Sequence, residues 1–384
     1  MPVYDMFSYE IQDDPYPVYR QLLDHFPLYH NEQRKFWALS RYADVQAAFR
    51  DWRTFSNSEG VNFDDMRSLT GPEMLDMDPP RHDLLRNIVK DAFAPQTIAA
   101  LEPRIREHVV QLCEDILGKV TIDLAGGLAK RLPVMMICHV LGLPIKDEFM
   151  LKGWSDAILE RLPNDDRLPP AALEAADRIR LYFKDILADR RKHPAGDLLS
   201  VIVNAKIDGK PLEEAELLGF CFLLFEAGNS TTTSHIANGL LVLSRYPEQR
   251  ARLAKNPDQL PGAIEELLRF EAPVQNIARV TMRDVEMYGQ TIPRGSRVAL
   301  LMGAANRDER VWENPDQLDV TRVPKRHFAF GEGIHHCIGA PLARLESKIA
   351  FEFLLKHIPE YQVVTYERFH DSNQRGLKSL VVRF

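Results

Sequence analysis

The stretch between Pro211 and Pro247 constrains the fold more than any other part of the chain. Proline fits the first turn of a helix and also the position just beyond its end, so the two prolines bracket one long helix. A helix of roughly 34 residues, at ~1.5 Å per residue, spans about 50 Å, which is the width of a whole domain. Apolar residues occupy nearly every face of its first half, as is typical of a buried helix. The sequence therefore predicts a domain built around one central helix.

The rest of the chain predicts a mainly α protein with a small β portion. Helical spacing recurs in five other stretches, which are 81–93, Ile98–Leu117, Leu132–Leu141, Ala171–Lys192 and Glu265–Phe270. Strand patterns occur at Phe36–Leu39, with a partner near Pro27–His30, and along Val285–Leu300, which alternates like a β meander. No linker-like segment divides the chain, so we expect residues 1–384 to form a single domain.

The composition is that of an ordinary globular protein and excludes several classes. The chain has 384 residues, of which 45% are hydrophobic and 27% are charged. Its net charge of −7, without a basic tract, makes nucleic acid an unsuitable partner. Acids and prolines interrupt the N-terminal stretch, and the longest apolar stretch, around Leu217–Phe225, is too short for a membrane span. We therefore expect a soluble, cytoplasmic monomer without a nucleic-acid or membrane partner.

One of the four cysteines differs from the others in its surroundings. Cys113, Cys138 and Cys221 lie among apolar residues, where a thiol acts as a small core hydrophobe, and their spacing predicts neither disulfides nor a zinc site. Cys337 lies instead in the glycine-rich segment FAFGEGIHHCIG, and a helical pattern follows from Ala340. We call this segment, residues 328–339, the cysteine loop.

The cysteine loop is suited to a metal-binding thiolate. Such a thiolate needs its charge offset, and backbone amides in tight turns at Gly331, Gly333 and Gly339, with the start of a helix behind them, provide positive potential. Glycine also lets a flat partner approach closely. These features predict a stabilised thiolate beside a flat, bulky ligand, a description that haem held by cysteine fits. From the residues alone, the alternatives are a core cysteine in a turn and a cysteine nucleophile with His335 or His336 as its base.

The spacing of Phe330, Gly333, Cys337 and Gly339 resembles the haem-binding loop of the cytochrome P450 family. The resemblance implies a cytochrome P450 fold, with haem b buried between the long central helix and the helix after the cysteine loop. It implies that Cys337 is the proximal iron ligand, whose electron density favours O–O cleavage, and that Phe330 packs near the sulfur. The implied cofactor-binding positions are His82, Arg86, Ala227, Arg279, Phe330, Gly331, His335, Cys337 and Gly339.

Four of these positions match residues that bind the haem propionates in the family. His82 and Arg86 are four residues apart and share one helix face. Arg279 lies in the extended run before the meander, and His335 lies in the cysteine loop. The resemblance therefore implies that these donors surround the two carboxylates of the haem.

Glu266 and Arg269 resemble the buried ion pair that supports the haem loop in the family, so we interpret them as structural residues. The family usually adds a later arginine to this pair. Gln317 stands where that arginine is expected, and Arg322 is the alternative partner.

The middle of the long helix resembles the oxygen-binding region of the family. Its pattern of alanine, glycine, any residue, an acid and two threonines is matched at Ala227, Gly228, Thr231 and Thr232. A threonine hydroxyl that bonds the carbonyl four residues earlier bends a helix, and we expect Thr231 to open a groove for O₂ and water in this way. The resemblance implies that Thr231 and Ser230 are the catalytic residues of proton delivery.

The acid of that pattern is missing, because Ser230 occupies its position. A serine relays a proton through water but does not act as an acid. Glu226 is the nearest alternative carboxyl group, but it lies about 400° along the helix from Ser230, at ~100° per residue, and is therefore expected on a neighbouring face. The proton route is left open by the sequence.

The resemblance also places a substrate pocket above the haem. Its predicted lining is Leu223, Ala227, Val274, Asn276 and Ile277, the segments Phe63–Leu75 and Leu159–Leu173, and the polar residues Asn229 and Gln275. Because most of these residues are apolar, we predict a small lipophilic substrate with a polar handle.

The chain ends soon after the helix that follows the cysteine loop, so we expect no attached reductase domain. Electrons are therefore expected from a separate ferredoxin or flavodoxin with its reductase. The predicted docking site is a basic patch formed by Lys325, Arg326, Arg344 and Lys348.

The leading hypothesis is a bacterial-type haem-thiolate monooxygenase. It would activate O₂ with two externally supplied electrons and hydroxylate, or otherwise oxidise, a small lipophilic molecule. One alternative is a peroxide-driven or non-oxygenating haem-thiolate enzyme, which Ser230 keeps open. Another is a haem-based ligand sensor without turnover.

Overall fold

The structure is a computed structural model that describes residues 3–64, 71–114, 116–162 and 164–384. Its α-helices are α1 (Tyr9–Asp13), α2 (Tyr16–His25), α3 (Tyr42–Arg50), α4 (Arg81–Val89), α5 (Pro95–Ala99), α6 (Glu102–Glu114), α7 (Arg131–Leu141), α8 (Glu148–Ile158), α9 (Pro170–Lys192), α10 (Leu198–Asn204), α11 (Glu214–Arg245), α12 (Pro247–Lys255), α13 (Leu260–Phe270), α14 (Met302–Ala305) and α15 (Ala340–His357). Short 3₁₀ turns occur at Met74–Asp76, Ile145–Asp147, Pro257–Gln259 and Gly333–His335, and a π-helical turn at Ala125–Ala129.

The predicted central helix is α11, which is buried along most of its length. It packs against α7 on one side and α15 on another. Two glycines permit these close approaches. A Cβ at Gly228 would lie 2.8 Å from Cδ1 of Ile137 on α7, and a Cβ at Gly239 would lie 2.5 Å from Cζ of Phe351 on α15. The prediction of a buried helix around which the molecule is built is confirmed.

The other predicted helices are present, with three changes of boundary. The pattern over 81–93 forms a helix only as far as Val89, in α4. The pattern over Ile98–Leu117 is divided between α5 and α6. Pro103 lies in the first turn of α6, where proline is tolerated, and it has no N–H to donate to the carbonyl of Ala99, the last residue of α5. The pattern over Glu265–Phe270 is only the second half of α13, which begins at Leu260.

The strands are β1 (Leu28–Asn31), β2 (Phe36–Leu39), β3 (Phe55–Ser56), β4 (Thr121–Asp123), β5 (Lys206–Ile207), β6 (Lys210–Pro211), β7 (Ile277–Thr281), β8 (Val285–Met287), β9 (Gln290–Ile292), β10 (Arg297–Leu300), β11 (Gln362–Arg368) and β12 (Leu377–Arg383). A five-stranded sheet has the order β1-β2-β10-β7-β3, and a three-stranded sheet has the order β11-β12-β4. The β1–β2 hairpin, with Leu28 opposite Leu39, was predicted from the alternating pattern.

The predicted meander over Val285–Leu300 is wrong in its pairing. Strands β8 and β9 form a separate hairpin, whereas β10 pairs with β2 in parallel and with β7 in antiparallel orientation. Three of the four residues of β10 are buried. A buried strand needs partners on both edges to satisfy its backbone groups, which explains its central place in the larger sheet.

The architecture is mainly α with a small β portion, as predicted. Cys113, Cys138 and Cys221 are buried in the main hydrophobic core, which confirms their interpretation as core residues. Within the described ranges, none of the helices combines the length and apolar character that crossing a bilayer requires.

Candidate active site

A cavity of about 340 Å³ lies between α11 and the cysteine loop. Ala227 and Thr231 of α11 line one side of it, and Cys337 lines another. The predicted pocket residues Leu223, Val274 and Ile277 also line this cavity. The structure thus brings together the two regions that the sequence singled out separately.

Backbone hydrogen bonds fold the cysteine loop tightly. The Cys337 N–H donates to the Phe330 carbonyl at 2.9 Å, and the Gly331 N–H donates to the Phe328 carbonyl at 2.8 Å. Gly331 and Gly333 have φ values of +64° and +75°, in the left-handed region that favours glycine. A Cβ at Gly333 would lie 2.5 Å from the Phe49 carbonyl oxygen, so a side chain at this position is excluded.

Gly339 does not have the special conformation that the sequence predicted. Its φ is −79°, which any residue adopts. A Cβ here would lie 3.9 Å from Sγ of Cys337, an ordinary contact. The position is close to the sulfur, as expected, but the backbone gives no reason for glycine at it.

Cys337 lies in the interior of the molecule with its side chain exposed to the cavity, unlike the other three cysteines. Burial raises the pKa of its thiol, while the N–H groups of Gly339 and Ala340 and the positive charges of Arg86 and Arg344 lower the pKa. These groups oppose the effect of burial, which is the larger one, so the net direction of the pKa is upward in the absence of a metal ion. A metal ion bound to the sulfur would favour the thiolate.

Positively charged and imidazole groups collect at one edge of the cavity. Its lining includes His82, Arg86, Arg279 and His335. The rings of His82 and His335 have centroids 4.3 Å apart. Burial, with the neighbouring charges of Arg279, His82 and Arg86, lowers the pKa of His335 to about 2. With its pKa this low His335 is neutral, so Arg86 and Arg279 are the permanent positive charges among these four residues.

Several polar side chains at this edge have atoms without a partner within the described part of the chain, although Nδ1 of His82 lies 2.8 Å from Oδ1 of Asp83. Arg279 is 2% exposed and forms no ion pair there, and burial lowers its pKa to about 10. Nε2 of His82 and Nε2 of His335 are buried without a hydrogen-bond partner. A buried cation without a counter-ion is costly, so these residues fit the carboxylates of a bound ligand such as haem.

Arg86 is directed toward the cysteine loop. Its Nη2 donates to the His336 carbonyl at 2.7 Å, so one of its donors is already engaged beside the sulfur. The side chain of His336 is exposed, whereas that of His335 lines the cavity.

Glu266 and Arg269 form the buried ion pair that the sequence predicted. Their two hydrogen bonds are 2.7 and 2.8 Å long, and the side chains are 2% and 1% exposed. Arg269 also donates to the Asn306 carbonyl at 2.9 Å, and Oδ1 of Asn306 accepts the Phe328 N–H at 2.7 Å. The pair is therefore connected to the first residue of the cysteine loop.

Arg322 takes the place of the arginine that is absent at Gln317. Its Nε lies 3.1 Å from a carboxylate oxygen of Glu266, and its Nη1 donates to the Glu313 carbonyl at 2.7 Å. Gln317 contributes only its backbone carbonyl, which accepts a hydrogen bond from Arg322 at 3.2 Å. Arg322 is therefore the later arginine that joins the Glu266–Arg269 pair.

Successive hydroxyl groups bond back along the middle of α11. Thr231 donates to the Ala227 carbonyl at 2.9 Å, and Ser230 donates to the Glu226 carbonyl at 3.1 Å. The Thr231 bond is the one predicted from the sequence. The helix nevertheless remains continuous from Glu214 to Arg245, so the hydroxyls modify this turn without interrupting it.

Glu226 and Ser230 lie on the same side of α11, although the sequence placed them on different faces. Four residues complete slightly more than one turn, so the two side chains are stacked and both line the cavity. Oε1 of Glu226 accepts a hydrogen bond from Ser155 of α8 at 3.1 Å, and Oε2 is buried without a partner among the described residues.

Three predicted polar contacts do not line the cavity. Asn276 is 2% exposed and donates to the Ser372 carbonyl, and Gln275 donates to the Ala272 carbonyl. Asn229 is fully buried and donates to Ser155. Val274 and Ile277 take the positions that face the cavity, so Asn276 and Gln275 bond neighbouring backbone instead.

The cavity is more polar than the sequence predicted. Carboxylate residues along it are Glu59, Asp64, Glu73, Asp76, Glu226 and Asp371. Arg161, also in the lining, lies 2.9 Å from Asp64 and 3.1 Å from Asp371 in a cluster that is less than 5% exposed. These residues come from separate segments, and only the fold brings them together. Residues 65–70 and 163 of the predicted lining segments lie outside the described residues.

The predicted basic patch is partly neutralised. Arg344 forms two hydrogen bonds with Glu265, of 2.7 and 2.9 Å, and Arg326 lies 3.1 Å from Glu332. Arg344 also lies over the Phe330 ring at 4.4 Å, so it supports the cysteine loop. Lys325 and Lys348 are the members of the patch for which the described structure records no ion pair.

Comparisons with known proteins agree with this geometry. A model of the cytochrome P450 family matches residues 173–368. Cytochrome P450 130 of Mycobacterium tuberculosis is 37% identical over 374 residues, covering 94% of this chain and 92% of that protein. The crystal structure of CYP109E1 from Bacillus megaterium in complex with testosterone has a TM-score of 0.90 and 33% identity, covering 97% of this chain and 98% of that one. Cytochrome P450 PksS of Bacillus subtilis also has a TM-score of 0.90, at 32% identity and 99% coverage of both chains.

The fold and the cavity are those of a haem-binding oxidoreductase. The chain belongs to the cytochrome P450 family, and its cofactor is haem, iron protoporphyrin IX. Membership implies a monooxygenase that uses O₂ and a redox partner.

Proposed function

We propose that this protein is a haem-thiolate monooxygenase in which Cys337 would hold the haem iron through its thiolate. The observation that carries the proposal is the position of the thiol. It is the only cysteine side chain exposed to the cavity in the described structure, and backbone N–H groups and two arginines favour its ionised form. Bound haem supplies the iron that activates O₂, and a thiolate ligand favours O–O cleavage.

The positive edge of the cavity would hold the haem propionates. Arg279 forms no ion pair in the described chain, Nε2 of His82 and Nε2 of His335 have no hydrogen-bond partner there, and Arg86 donates to the His336 carbonyl in the cysteine loop. Phe330 and Gly331 would contact the proximal face, and Ala227 the distal face. Carboxylates at this edge would compensate the buried positive charge.

Thr231 and Ser230 would handle protons on the distal side. Both hydroxyls face the cavity and bond to carbonyl oxygens of the preceding turn. A hydroxyl held in this way has its hydrogen directed to the carbonyl and its lone pairs open, so it can accept a hydrogen bond from a water molecule in the cavity. Their role is to orient and relay protons.

The substrate would be a small lipophilic molecule with a polar handle. Leu223, Val274 and Ile277 supply apolar contacts, while Arg161 and its carboxylate partners form a polar group elsewhere in the same cavity. Testosterone, bound in the CYP109E1 complex, has this character. A lipophilic body in the apolar part and a hydroxyl or carbonyl near the polar cluster would fix the orientation.

Electrons would come from a separate ferredoxin or flavodoxin with its reductase. Lys325 and Lys348 flank the cysteine loop and form no ion pair among the described residues, although Lys325 donates to the Val311 carbonyl at 3.1 Å; such charges suit an acidic protein surface. The neutralised arginines, Arg344 and Arg326, would support the loop instead of contacting the donor.

Product formation with labelled oxygen tests the function. A panel of lipophilic compounds is first screened for a shift of the Soret band, and positive compounds are incubated with ¹⁸O₂, a ferredoxin and its reductase. We expect one labelled oxygen atom in the product. Ligands that shift the band but yield no oxygen-dependent product would contradict the proposal and favour a ligand sensor.

A peroxide-driven enzyme is the second candidate, because Ser230 replaces the acid that the family uses in proton delivery. Hydrogen peroxide already contains the two electrons and two protons that O₂ activation requires. Faster product formation with hydrogen peroxide than with the reductase system would favour this candidate.

A further inference from the structure

The missing acid in α11 has a counterpart one turn earlier in the same cavity. Glu226 lines the cavity beside Ala227 and Thr231, and the Ser230 hydroxyl donates to the Glu226 carbonyl at 3.1 Å. That bond involves the backbone carbonyl of Glu226; its carboxyl group is related to Ser230 by the cavity that both residues line, and Ser230 is among the groups that lower the pKa of this carboxyl. This chain has serine at 230, where the family pattern has an acid, and glutamate at 226. One acidic group is therefore still present on this side of the helix.

The carboxyl group of Glu226 is connected to α8. Oε1 accepts a hydrogen bond from Ser155 at 3.1 Å, and Ser155 accepts one from Asn229 at 2.7 Å. Oε2 is buried and has no partner among the described residues. A carboxyl group fixed through one oxygen, with the other oxygen unpaired, is suited to carry a proton that it can release.

Charged groups link this position to solvent. Lys152 and Asp156, which lie on α8 on either side of Ser155, form an ion pair, and Lys130 lies 3.2 Å from Asp156. Lys152 is 12% exposed, whereas Asp156 is 41% exposed, so the pair extends from the interior toward the surface. Both charges act on the pKa of Glu226, so this pair is the ionisable group of α8 through which we infer proton exchange with solvent.

We propose that Glu226 is the proton-donating residue of the distal cavity, replacing the acid absent at Ser230, and that it is reprotonated from solvent by way of Ser155, Lys152 and Asp156. This inference rests on the proposed monooxygenase function. The reaction R–H + O₂ + 2 e⁻ + 2 H⁺ → R–OH + H₂O consumes two protons, and the redox partner supplies the electrons. Glu226 releases its carboxyl proton toward Ser230 and Thr231 and regains one from solvent, so it is unchanged after each turnover.

The electrostatic surroundings support this role. Burial raises the pKa of Glu226 to about 7, while the Ser155 hydrogen bond and the charge of Lys152 lower it and Asp156 raises it. Arg161, the other charged residue that interacts with Glu226, is held by two aspartates. An acid with a pKa near neutrality both holds and releases a proton under physiological conditions.

An infrared titration tests the proposal without turnover. In the haem-loaded protein, we expect a C=O stretching band of a protonated carboxyl group that disappears with a midpoint near pH 7. Glu226→Gln should remove this band, and Glu148→Gln, which changes another buried glutamate on α8 outside the cavity, should retain it. A band with this midpoint that survives in Glu226→Gln, or the absence of such a band from the wild-type protein, would overturn the assignment; a band that does not titrate near pH 7 is not counted, because burial also raises the pKa of Glu346.

Coupling between electron use and product provides the second readout. Glu226→Gln keeps the size and one acceptor but loses the acid, so product per electron consumed should fall at least about tenfold, as general acids commonly contribute about 100-fold and water can replace part of that. Adding Ser230→Asp to this variant should restore coupling, which a merely structural role for Glu226 would not predict. Unchanged coupling in Glu226→Gln would overturn the proposal while leaving the monooxygenase function intact. A wild-type protein that forms no product would contradict the proposed function, and with it this inference.

Discussion

Substitution of Glu266 by glutamine tests how the cysteine loop is held in place. The carboxylate of Glu266 accepts two hydrogen bonds from Arg269, lies 3.1 Å from Nε of Arg322, and accepts the Asp319 N–H at 3.1 Å. Glutamine keeps the shape and one acceptor oxygen, but it removes the charge that balances two guanidinium groups. The side-chain NH₂ group of the introduced glutamine would also face the N–H donors of Arg269, Arg322 and Asp319.

The expected cost follows from the burial of the pair. Arg269 and Glu266 are 1% and 2% exposed, so the uncompensated cation cannot turn to solvent. Breaking a buried ion pair by changing one partner typically costs about 3–5 kcal/mol. Arg322 is 15% exposed and adds less. We therefore expect the free energy of unfolding to fall by about 3–5 kcal/mol.

Urea denaturation followed by circular dichroism measures this change, and the loss of haem absorbance reports on the cysteine loop. Because Arg269 is connected through Asn306 to Phe328, we expect haem to be released earlier than in the wild-type protein. Glu174→Gln is the matched control, since Glu174 and Arg178 form a surface pair on α9 with 65% and 56% exposure. That variant should lose less than about 0.5 kcal/mol. Equal stability of the two variants would refute the reasoning.

Three further predictions concern the oxygen site, the electron donor and acid stability. Thr231→Ala removes the cavity hydroxyl bonded to the Ala227 carbonyl, so we expect more electrons consumed per product, and unchanged coupling would exclude Thr231 as a relay. Lys348→Glu should slow reduction by an acidic ferredoxin in stopped-flow measurements, whereas the distant Lys184→Glu should not; equal rates would remove the docking proposal. Burial would raise the pKa of Glu271, but Arg375, Arg368 and Arg307 lower it to about 2, below its value of about 4.3 in the unfolded chain. Its stabilising contribution is therefore present above about pH 4.3 and lost as the pH falls toward 2, and Glu271→Gln should flatten this part of the stability profile.

Local patterns were sufficient to predict much of the fold and the core of the site. The prolines around α11 and the glycines around Cys337 act over short stretches of chain, where backbone geometry depends on the residues themselves. The i, i+4 hydroxyl bond of Thr231 is local in the same sense. For these features the sequence and the structure agree.

Features that depend on distant contacts were not predictable from local patterns. Burial in the larger sheet determines the partners of β10, and the alternation of apolar and polar residues along Val285–Leu300 does not reveal those partners. The orientation of Asn276 away from the cavity is set by the Ser372 carbonyl, almost a hundred residues later. The pairing of Arg161 with Asp64 and Asp371 likewise requires three distant segments to meet.

The bond between Cys337 and iron is the central claim, and the absorbance spectrum of the reduced, carbon monoxide-bound protein tests it most directly. Thiolate ligation predicts the strongly red-shifted Soret band after which the cytochrome P450 family is named, in protein fully loaded with haem. A Soret band at the position typical of histidine-ligated haem, in correctly folded protein, would contradict the account.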